Sequence, residues 1–319
     1  MRTLIAFTLM MLSVPVQSDV TPFLGKWNIT GTGEHTDVLY WLEVSQEGGA
    51  VKGRFLNRFS SPYDLPNIRV EKGELVFSNA QKEGQPPSPV WRARITDGRL
   101  AGTTTTARRD SAQPPQVINW VGVRPPSWPA ANANGKHVYG SPVRLFDGKT
   151  MDAWGVQHKK SPVNWAVADG VMSSAEKQGN NLVSKETFKD FRIEAEYAIA
   201  AGSNGGIYVR GRYELQLLDD AGQPLTPQSH MAIYGRTPPA VMASKPAGEW
   251  QTMEAIVVGN RVTVTLNGQK VHDNAVIEGI TGGALDANEL EPGPIMLQGD
   301  HGKVMFRKVI VTPITKPGS

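Results

Sequence analysis

Three dipeptides restrict what this chain can fold into: Asp97-Gly98, Asp169-Gly170 and Asn267-Gly268. Each stands between two short apolar-polar runs. Asx-Gly is the pair that a tight hairpin turn selects, because both central residues must take positive φ. Gly48-Gly49, Lys72-Gly73 and Gly259-Asn260 punctuate the sequence in the same manner. Between these turns apolar residues recur with period two, and the longer period of an amphipathic helix is absent. The pattern predicts an antiparallel, all-β protein.

The strand runs fall into two groups. The first covers 23–30, 38–46, 50–57, 68–71, 74–78, 90–96, 100–106 and 117–123, which predicts a smaller antiparallel β-barrel or sandwich domain over 19–123. Its opening Gly25-Lys26-Trp27 resembles the Gly-x-Trp at the first strand of lipocalin-like barrels. Trp27, Trp41, Trp91 and Trp120 are either core or the aromatic lining of a ligand site. Residues 124–142 shift to Pro, Ala, Asn and Gly and read as a linker. A second, more regular β pattern follows over 143–315, with runs at 143–146, 165–168, 171–174, 181–184, 191–200, 206–218, 251–258, 261–266, 269–276, 295–298 and 304–312. That density of strands predicts a two-sheet sandwich of the jelly-roll type. The polar stretch 219–250 is too long for a plain connection and follows directly on a charged strand, which points to a functional loop.

Charge and cysteine usage narrow the function classes. With 33 basic and 30 acidic residues the net charge is +3, which gives no reason to expect a nucleic-acid partner. Met1-Arg2-Thr3, the apolar run 4–14 and a polar end at Ser18 form the pattern of a secretory signal peptide over 1–18. Its apolar part is too short for a membrane span, and no other stretch is long enough. The chain has no cysteine, which excludes a lipoprotein anchor, a disulfide framework, a cysteine nucleophile and thiolate-bound metal. A secreted or periplasmic bacterial protein is the expectation.

The run 206–218 carries the most concentrated chemistry. Read as one strand, Ile207, Val209, Leu215 and Leu217 share one face, while Tyr208, Arg210, Arg212, Glu214 and Gln216 share the other. Two guanidinium groups, a carboxylate, an amide and a phenol on one ribbon form a dense set of directional hydrogen-bonding groups.

Several phrases in the second half carry a resemblance: Leu145-Phe146-Asp147-Gly148-Lys149-Thr150-Met151-Asp152-Ala153-Trp154, Asp190-Phe191-Arg192-Ile193-Glu194-Ala195-Glu196-Tyr197, Gly202-Ser203-Asn204-Gly205-Gly206-Ile207-Tyr208-Val209-Arg210, Tyr213-Glu214-Leu215-Gln216-Leu217-Leu218-Asp219, Ala232-Ile233-Tyr234-Gly235, Lys245-Pro246-Ala247-Gly248-Glu249-Trp250 and Leu297-Gln298-Gly299-Asp300-His301-Gly302. In this order, from Val143 to about Pro313, the chain resembles the 3-keto-disaccharide hydrolase family. The resemblance implies a concanavalin-like jelly-roll sandwich, secretion by glycan-degrading bacteria and action on glycosides already oxidised at C3. One departure is Gly299, inserted where the family pattern runs Gln-Asp-His, which bears on where His301 points.

A 3-keto sugar has an acidified C2 proton, because the resulting anion spreads into the ketone. Its removal expels the C1 substituent, and water then adds to the unsaturated product. The route needs a base near C2, a group that stabilises the enolate and an acid for the leaving group. Glu214 and His301 are the expected acid/base pair. Arg210 and Lys245 are expected at the enolate, with Gln216, Tyr208, Tyr234 and Asn204 orienting hydroxyls of an oligosaccharide or glycoside substrate. Glu214, Asp219, Asp300 and His301 also offer donors for a divalent cation such as Ca, Mn or Zn, although their spacing fits no fixed ligand motif. Asp219 lies on the opposite parity from Glu214 and needs a bulge to join it. Two other readings use the same residues. One is a non-catalytic carbohydrate-binding jelly roll. The other is a retaining endoglucanase with Glu-x-Asp-x-x-Glu on a bulged strand, where this chain has Glu214, Gln216 and Asp219 and thus lacks the central acid.

Overall fold

A computed structural model describes residues 19–108, 112–176 and 179–318. The leader expected over 1–18 lies outside the described residues. Asp97, Gly98, Asp169, Gly170, Asn267 and Gly268 all take positive φ, as the hairpin reading requires. Among the described residues the helical pieces are two short 3₁₀ turns, Thr21–Phe23 and Gly33–His35.

The first sheet is built from β1 (Gly25–Gly31), β2 (Leu39–Glu47), β3 (Ala50–Asn57), β4 (Tyr63–Asp64), β5 (Asn67–Glu71), β6 (Glu74–Ser78), β7 (Val90–Thr96), β8 (Arg99–Thr106) and β9 (Gln116–Val123). Its spatial order is β4-β3-β2-β1-β9-β8-β7-β6-β5, an antiparallel meander in which β9 returns beside β1. The sheet curls until its ends meet: a Cβ on Gly53 of β3 would come within 2.7 Å of Ile68 on β5. Trp27, Trp91 and Trp120 fill the interior, so they are core and not a ligand lining. Arg124 closes one end, its guanidinium 3.5 Å over the Trp27 ring.

The second unit is a sandwich. Its strands are β10 (Val138–Tyr139), β11 (Val143–Phe146), β12 (Trp154–Val156), β13 (Trp165–Ala168), β14 (Val171–Ser174), β15 (Leu182–Phe188), β16 (Phe191–Ile199), β17 (Asn204–Val209), β18 (Tyr213–Leu218), β19 (Gln251–Val258), β20 (Arg261–Leu266), β21 (Gln269–Val276), β22 (Gly293–Gln298) and β23 (Val304–Lys316). One sheet runs β13-β14-β23-β16-β19-β20-β21, with β10 and β11 also pairing on β23. The facing sheet runs β12-β15-β22-β17-β18. Inward side chains of both, among them Ile193, Tyr197, Ile207, Leu215, Leu217, Val264 and Phe306, form one core.

The two units share an interface. In β2, Tyr40 and Leu42 point into the first core while Leu39 and Trp41 point out, where they meet Leu56 and Ile280 in a separate apolar cluster. Gly279 passes close to the Trp41 indole, and Arg236 lies 4.0 Å over its ring. Buried Glu289 accepts from Asn28 of β1 at 2.5 Å and from Tyr213 of β18 at 2.6 Å, which ties the first sheet to the second. A half-buried ion pair, Lys26–Glu278 at 2.8 Å, lies at the rim.

The run expected as one strand over 206–218 is a hairpin. Arg210 (φ 55) and Gly211 (φ 66) turn the chain, and β17 and β18 pair from Asn204↔Leu218 to Val209↔Tyr213. Alternation could not reveal the break, because the turn residues happen to continue the parity of the flanking strands. Both arginines are consequently withdrawn from the polar face. Arg210 is 1% exposed and donates to the carbonyls of Lys189 (2.6 Å) and Gly259 (2.7 Å) and to Asp190 (3.1 Å). Arg212 donates to Asp286 (2.6 Å) and to the Glu291 carbonyl (2.7 Å), which pins the loop between β21 and β22 against the hairpin. Each guanidinium thus satisfies backbone oxygens that would otherwise be stranded.

Arg210→Met should therefore act on stability. It removes the guanidinium from two carbonyls and from Asp190, which keeps the Gly259 N–H at 2.8 Å, and we expect a loss of about 3–5 kcal/mol in urea unfolding of the full chain. A loss below about 1 kcal/mol would contradict this structural role.

Candidate active site

The hairpin lays its polar face into a small cleft of about 90 Å³. Asn204 and Tyr208 come from β17, Glu214 and Gln216 from β18, and Gln298 from the end of β22, where register places Gly206 between Gln216 and Gln298. Gly206 is needed for space. A Cβ there would lie 2.4 Å from Glu214 Oε1, so any other residue would displace the carboxyl group.

Glu214 is 3% exposed. With the Gln216 amide oriented to match its neighbours, its nitrogen donates to Glu214 Oε1 at 3.1 Å and to the Gly205 carbonyl at 2.7 Å. Tyr208 Oη lies 2.9 Å from Glu214 Oε2 and 2.8 Å from the Gly282 carbonyl. A phenol has one proton for these two oxygens. When Glu214 is protonated it donates to Tyr208, which donates to Gly282. When Glu214 is ionised, Tyr208 turns its proton to the carboxylate. One hydroxyl thus serves both forms of the acid. Burial pushes the Glu214 carboxyl up to about 8; the Tyr208 hydrogen bond opposes the rise and the negative charge of Asp300 adds to it. At neutral pH the group holds its proton.

The loop between β22 and β23 supplies the second titratable group. Asp300 Oδ1 is 2.6 Å from His301 Nδ1, which leaves Nε2 free, and both residues line the cleft. The Asp300 hydrogen bond raises the imidazole above its ordinary 6.5, against a smaller opposing effect of burial. Gly299 has a local reason. A Cβ there would come within 2.5 Å of the Trp165 ring, and its N–H donates to Asn181 Oδ1 at 2.9 Å, so the glycine lets the backbone cross the indole and still deliver His301 to the cleft.

The long stretch 219–250 supplies Tyr234. Its residues 231–234 run antiparallel to β18, with hydrogen bonds Met231 N to Gln216 O (2.6 Å), Gln216 N to Ala232 O (3.0 Å) and Tyr234 N to Glu214 O (3.0 Å). The sheet edge beside Glu214 is thereby covered.

Of the residues singled out from sequence, Glu214, His301, Asn204, Tyr208, Gln216, Tyr234 and Asp300 converge on this cleft. Three do not. Arg210 is bound into the hairpin turn as described. Lys245 donates to the Trp250 carbonyl at 2.9 Å within its own loop. Asp219 accepts from the Gly202 N–H at 2.9 Å and holds the turn before β17, with no bulge to bring it round. The four-residue donor set for a divalent cation is therefore not assembled, and among the described residues no group of three His, Asp or Glu side chains is placed to hold a metal. Sequence reasoning missed Gln157, His158 and Asn181, which also line the cleft. Asn181 Nδ2 donates to Gln157 at 2.7 Å, and the neighbouring Asn180 bonds the His158 backbone at 2.8 Å and 3.2 Å. Their only sequence signal was an Asn-Asn pair at a strand start. Phe59, from the first sheet, also lines the cleft and carried no signal at all.

A family described as a 3-keto-alpha-glucoside-1,2-lyase-like domain matches residues 141–312. A 3-keto-disaccharide hydrolase of Bacteroides thetaiotaomicron is 23% identical over 164 residues, covering 40% of this chain and 57% of that protein. The chain thus spans little more than half the length of that curated relative. A crystal structure from Parabacteroides distasonis, described as a candidate glycosyl hydrolase, is 27% identical, with 60% of this chain and 93% of that one covered and a TM-score of 0.49. A second from the same organism is 23% identical, covering 55% and 100%, with a TM-score of 0.45. With more than half of its length matched, including β11 to β22 and most of β23 and hence Glu214 and His301, the chain belongs to the 3-keto-alpha-glucoside-1,2-lyase-like domain family.

Proposed function

We propose that this chain is a secreted bacterial carbohydrate-active enzyme that cleaves glycosides already oxidised at C3. The observation that carries the reading is one cleft holding a buried carboxyl, bonded by a phenol, and a histidine whose Nδ1 is fixed by an aspartate. The family and the name of the Bacteroides relative support the substrate class.

His301 Nε2 takes the C2 proton, since Asp300 occupies Nδ1 and stabilises the imidazolium that forms. The C2–H electron pair moves into the ketone. Enolate and sugar hydroxyls meet neutral donors, the amides of Asn204 and Gln298 and the phenol of Tyr234, in place of the cations expected from sequence. As the enolate collapses the C1–O bond breaks, and Glu214 gives its proton to the departing oxygen. The new carboxylate is then held by Tyr208 and Gln216. Water adds hydroxyl at C1 with its proton going to Glu214, and His301 returns the proton to C2, which resets both groups. This route has no use for two opposed carboxylates, and Gln216 stands beside Glu214 where an endoglucanase needs an acid. Residues 1–18 serve as the export signal, and protein recovered outside the cytoplasm should begin near Asp19 on N-terminal sequencing.

Incubated under identical conditions, a 3-keto-glucoside should be cleaved and its 3-hydroxy parent left intact. Equal cleavage of both, or of neither, would contradict the reading.

The pH profile of kcat/KM should be a bell. Activity rises as pH passes the raised His301 pKa, because only the neutral imidazole accepts a proton, and falls as pH passes about 8, because only protonated Glu214 donates. Glu214→Gln should lower kcat by about 10²–10⁴-fold and remove the alkaline limb from the residual activity. An unchanged limb near 8 would assign it to another group.

A further inference from the structure

We propose that Phe59, carried by the first sheet, is the stacking platform for a sugar ring next to the reacting one, so that the two units form a single disaccharide site. The substrate class rests on the reading above; the placement of Phe59 does not.

Phe59 is 66% exposed, the most exposed large apolar side chain among the described residues, and yet it lines the cleft that holds Glu214 and His301. An aromatic ring at the rim of an otherwise polar cleft suits a pyranose: the amides inside bond the hydroxyls, and the ring covers the apolar C–H face. Its position is fixed on several sides. Arg58 takes positive φ (55), its N–H donates to the Leu39 carbonyl at 3.2 Å, and its guanidinium pairs with Asp37 at 3.1 Å while lying 5.1 Å from the Phe59 ring centre.

The loop that carries Phe59 is wedged into the second unit at two points, both beside cleft residues. On one side Gly283 N donates to Arg58 O at 3.0 Å, and a Cβ on Gly282 would come within 2.7 Å of Phe59 O. Only the glycine pair separates this loop from the site, since a Cβ on Gly283 would lie 2.7 Å from Tyr208 Oη on the far side. On the other side Gln228 donates to Ser61 Oγ at 3.2 Å, and Ser61 and Pro62 press on Gly235, next to Tyr234. The Leu39–Trp41–Leu56–Ile280 cluster and the Asn28–Glu289 bond hold the sheet behind it. Phe59 is therefore a built part of the wall, one layer out from Tyr208 and Glu214.

The test compares the full chain with Phe59→Ala and Phe59→Trp on a 3-keto-disaccharide and on the single-ring methyl 3-keto-glucoside. Phe59→Ala should raise KM for the disaccharide by about three- to tenfold and change the single-ring substrate by less than about twofold, and Phe59→Trp should restore the disaccharide. Equal effects on both substrates, or none, would overturn the platform. Unchanged urea midpoints would confirm that the exposed position is not structural. Should the wild-type chain cleave neither keto substrate, the proposed function fails on its own, and calorimetry with the unoxidised disaccharide and monosaccharide gives the same comparison. Selective weakening of disaccharide binding by Phe59→Ala would then support the platform; no sugar binding by the wild type, or equal weakening of both, would overturn it.

Discussion

Ionising a carboxyl group shut away from water costs several kcal/mol, and most proteins avoid the problem by leaving such groups at the surface. Here Glu214 is enclosed beneath Tyr208 and Gln216, and the surrounding construction follows from keeping it there. Gly206 vacates the volume that the carboxyl occupies, the Tyr208 hydroxyl reverses to serve either protonation state, and Gly282 offers the carbonyl that makes the reversal work. Asp300 raises the Glu214 pKa by its charge and orients His301 by its hydrogen bond, so one side chain poises both titratable groups.

That arrangement needs a rigid frame, and much of the charge of the hairpin is spent on it. Arg210 binds Lys189, Asp190 and Gly259 around the turn, and Arg212 binds Asp286 and the Glu291 carbonyl, which fixes the loop bringing Gly282 and Gly283 under Tyr208. The same loop places Ile280 against Trp41 of the first sheet and Glu289 between Asn28 and Tyr213. The first unit is thus coupled to the site through packed backbone, which gives a physical reason for it to accompany the sandwich.

The strands were legible in the sequence to within a residue or two for most elements, because Asx-Gly turns and period-two alternation are local signals. The first sheet illustrates this: 50–57, 74–78 and 90–96 coincide with Ala50–Asn57, Glu74–Ser78 and Val90–Thr96. Parity also placed Tyr208, Glu214 and Gln216 together. What escaped was non-local. A turn that keeps parity hid the hairpin at Arg210-Gly211, and the two arginines looked like ligand groups because nothing local revealed the carbonyls they serve. Asn181 and Gln157 reach the cleft only through strand order, and Phe59 only through the meeting of two separately patterned units. The unbroken apolar run Leu39-Tyr40-Trp41-Leu42 held a trace of that meeting, since a strand covered on both faces loses its alternation.

The account turns on Glu214 carrying its proton at neutral pH. An infrared titration of the carboxyl stretch, taken as the difference between the wild-type chain and Glu214→Gln, measures that directly. The predicted result is a protonated band that persists through pH 7 and disappears with a midpoint near 8. A band already lost near the ordinary glutamate value of 4.5 would show that burial leaves the group ionised, and the assignment of Glu214 as the acid would fall.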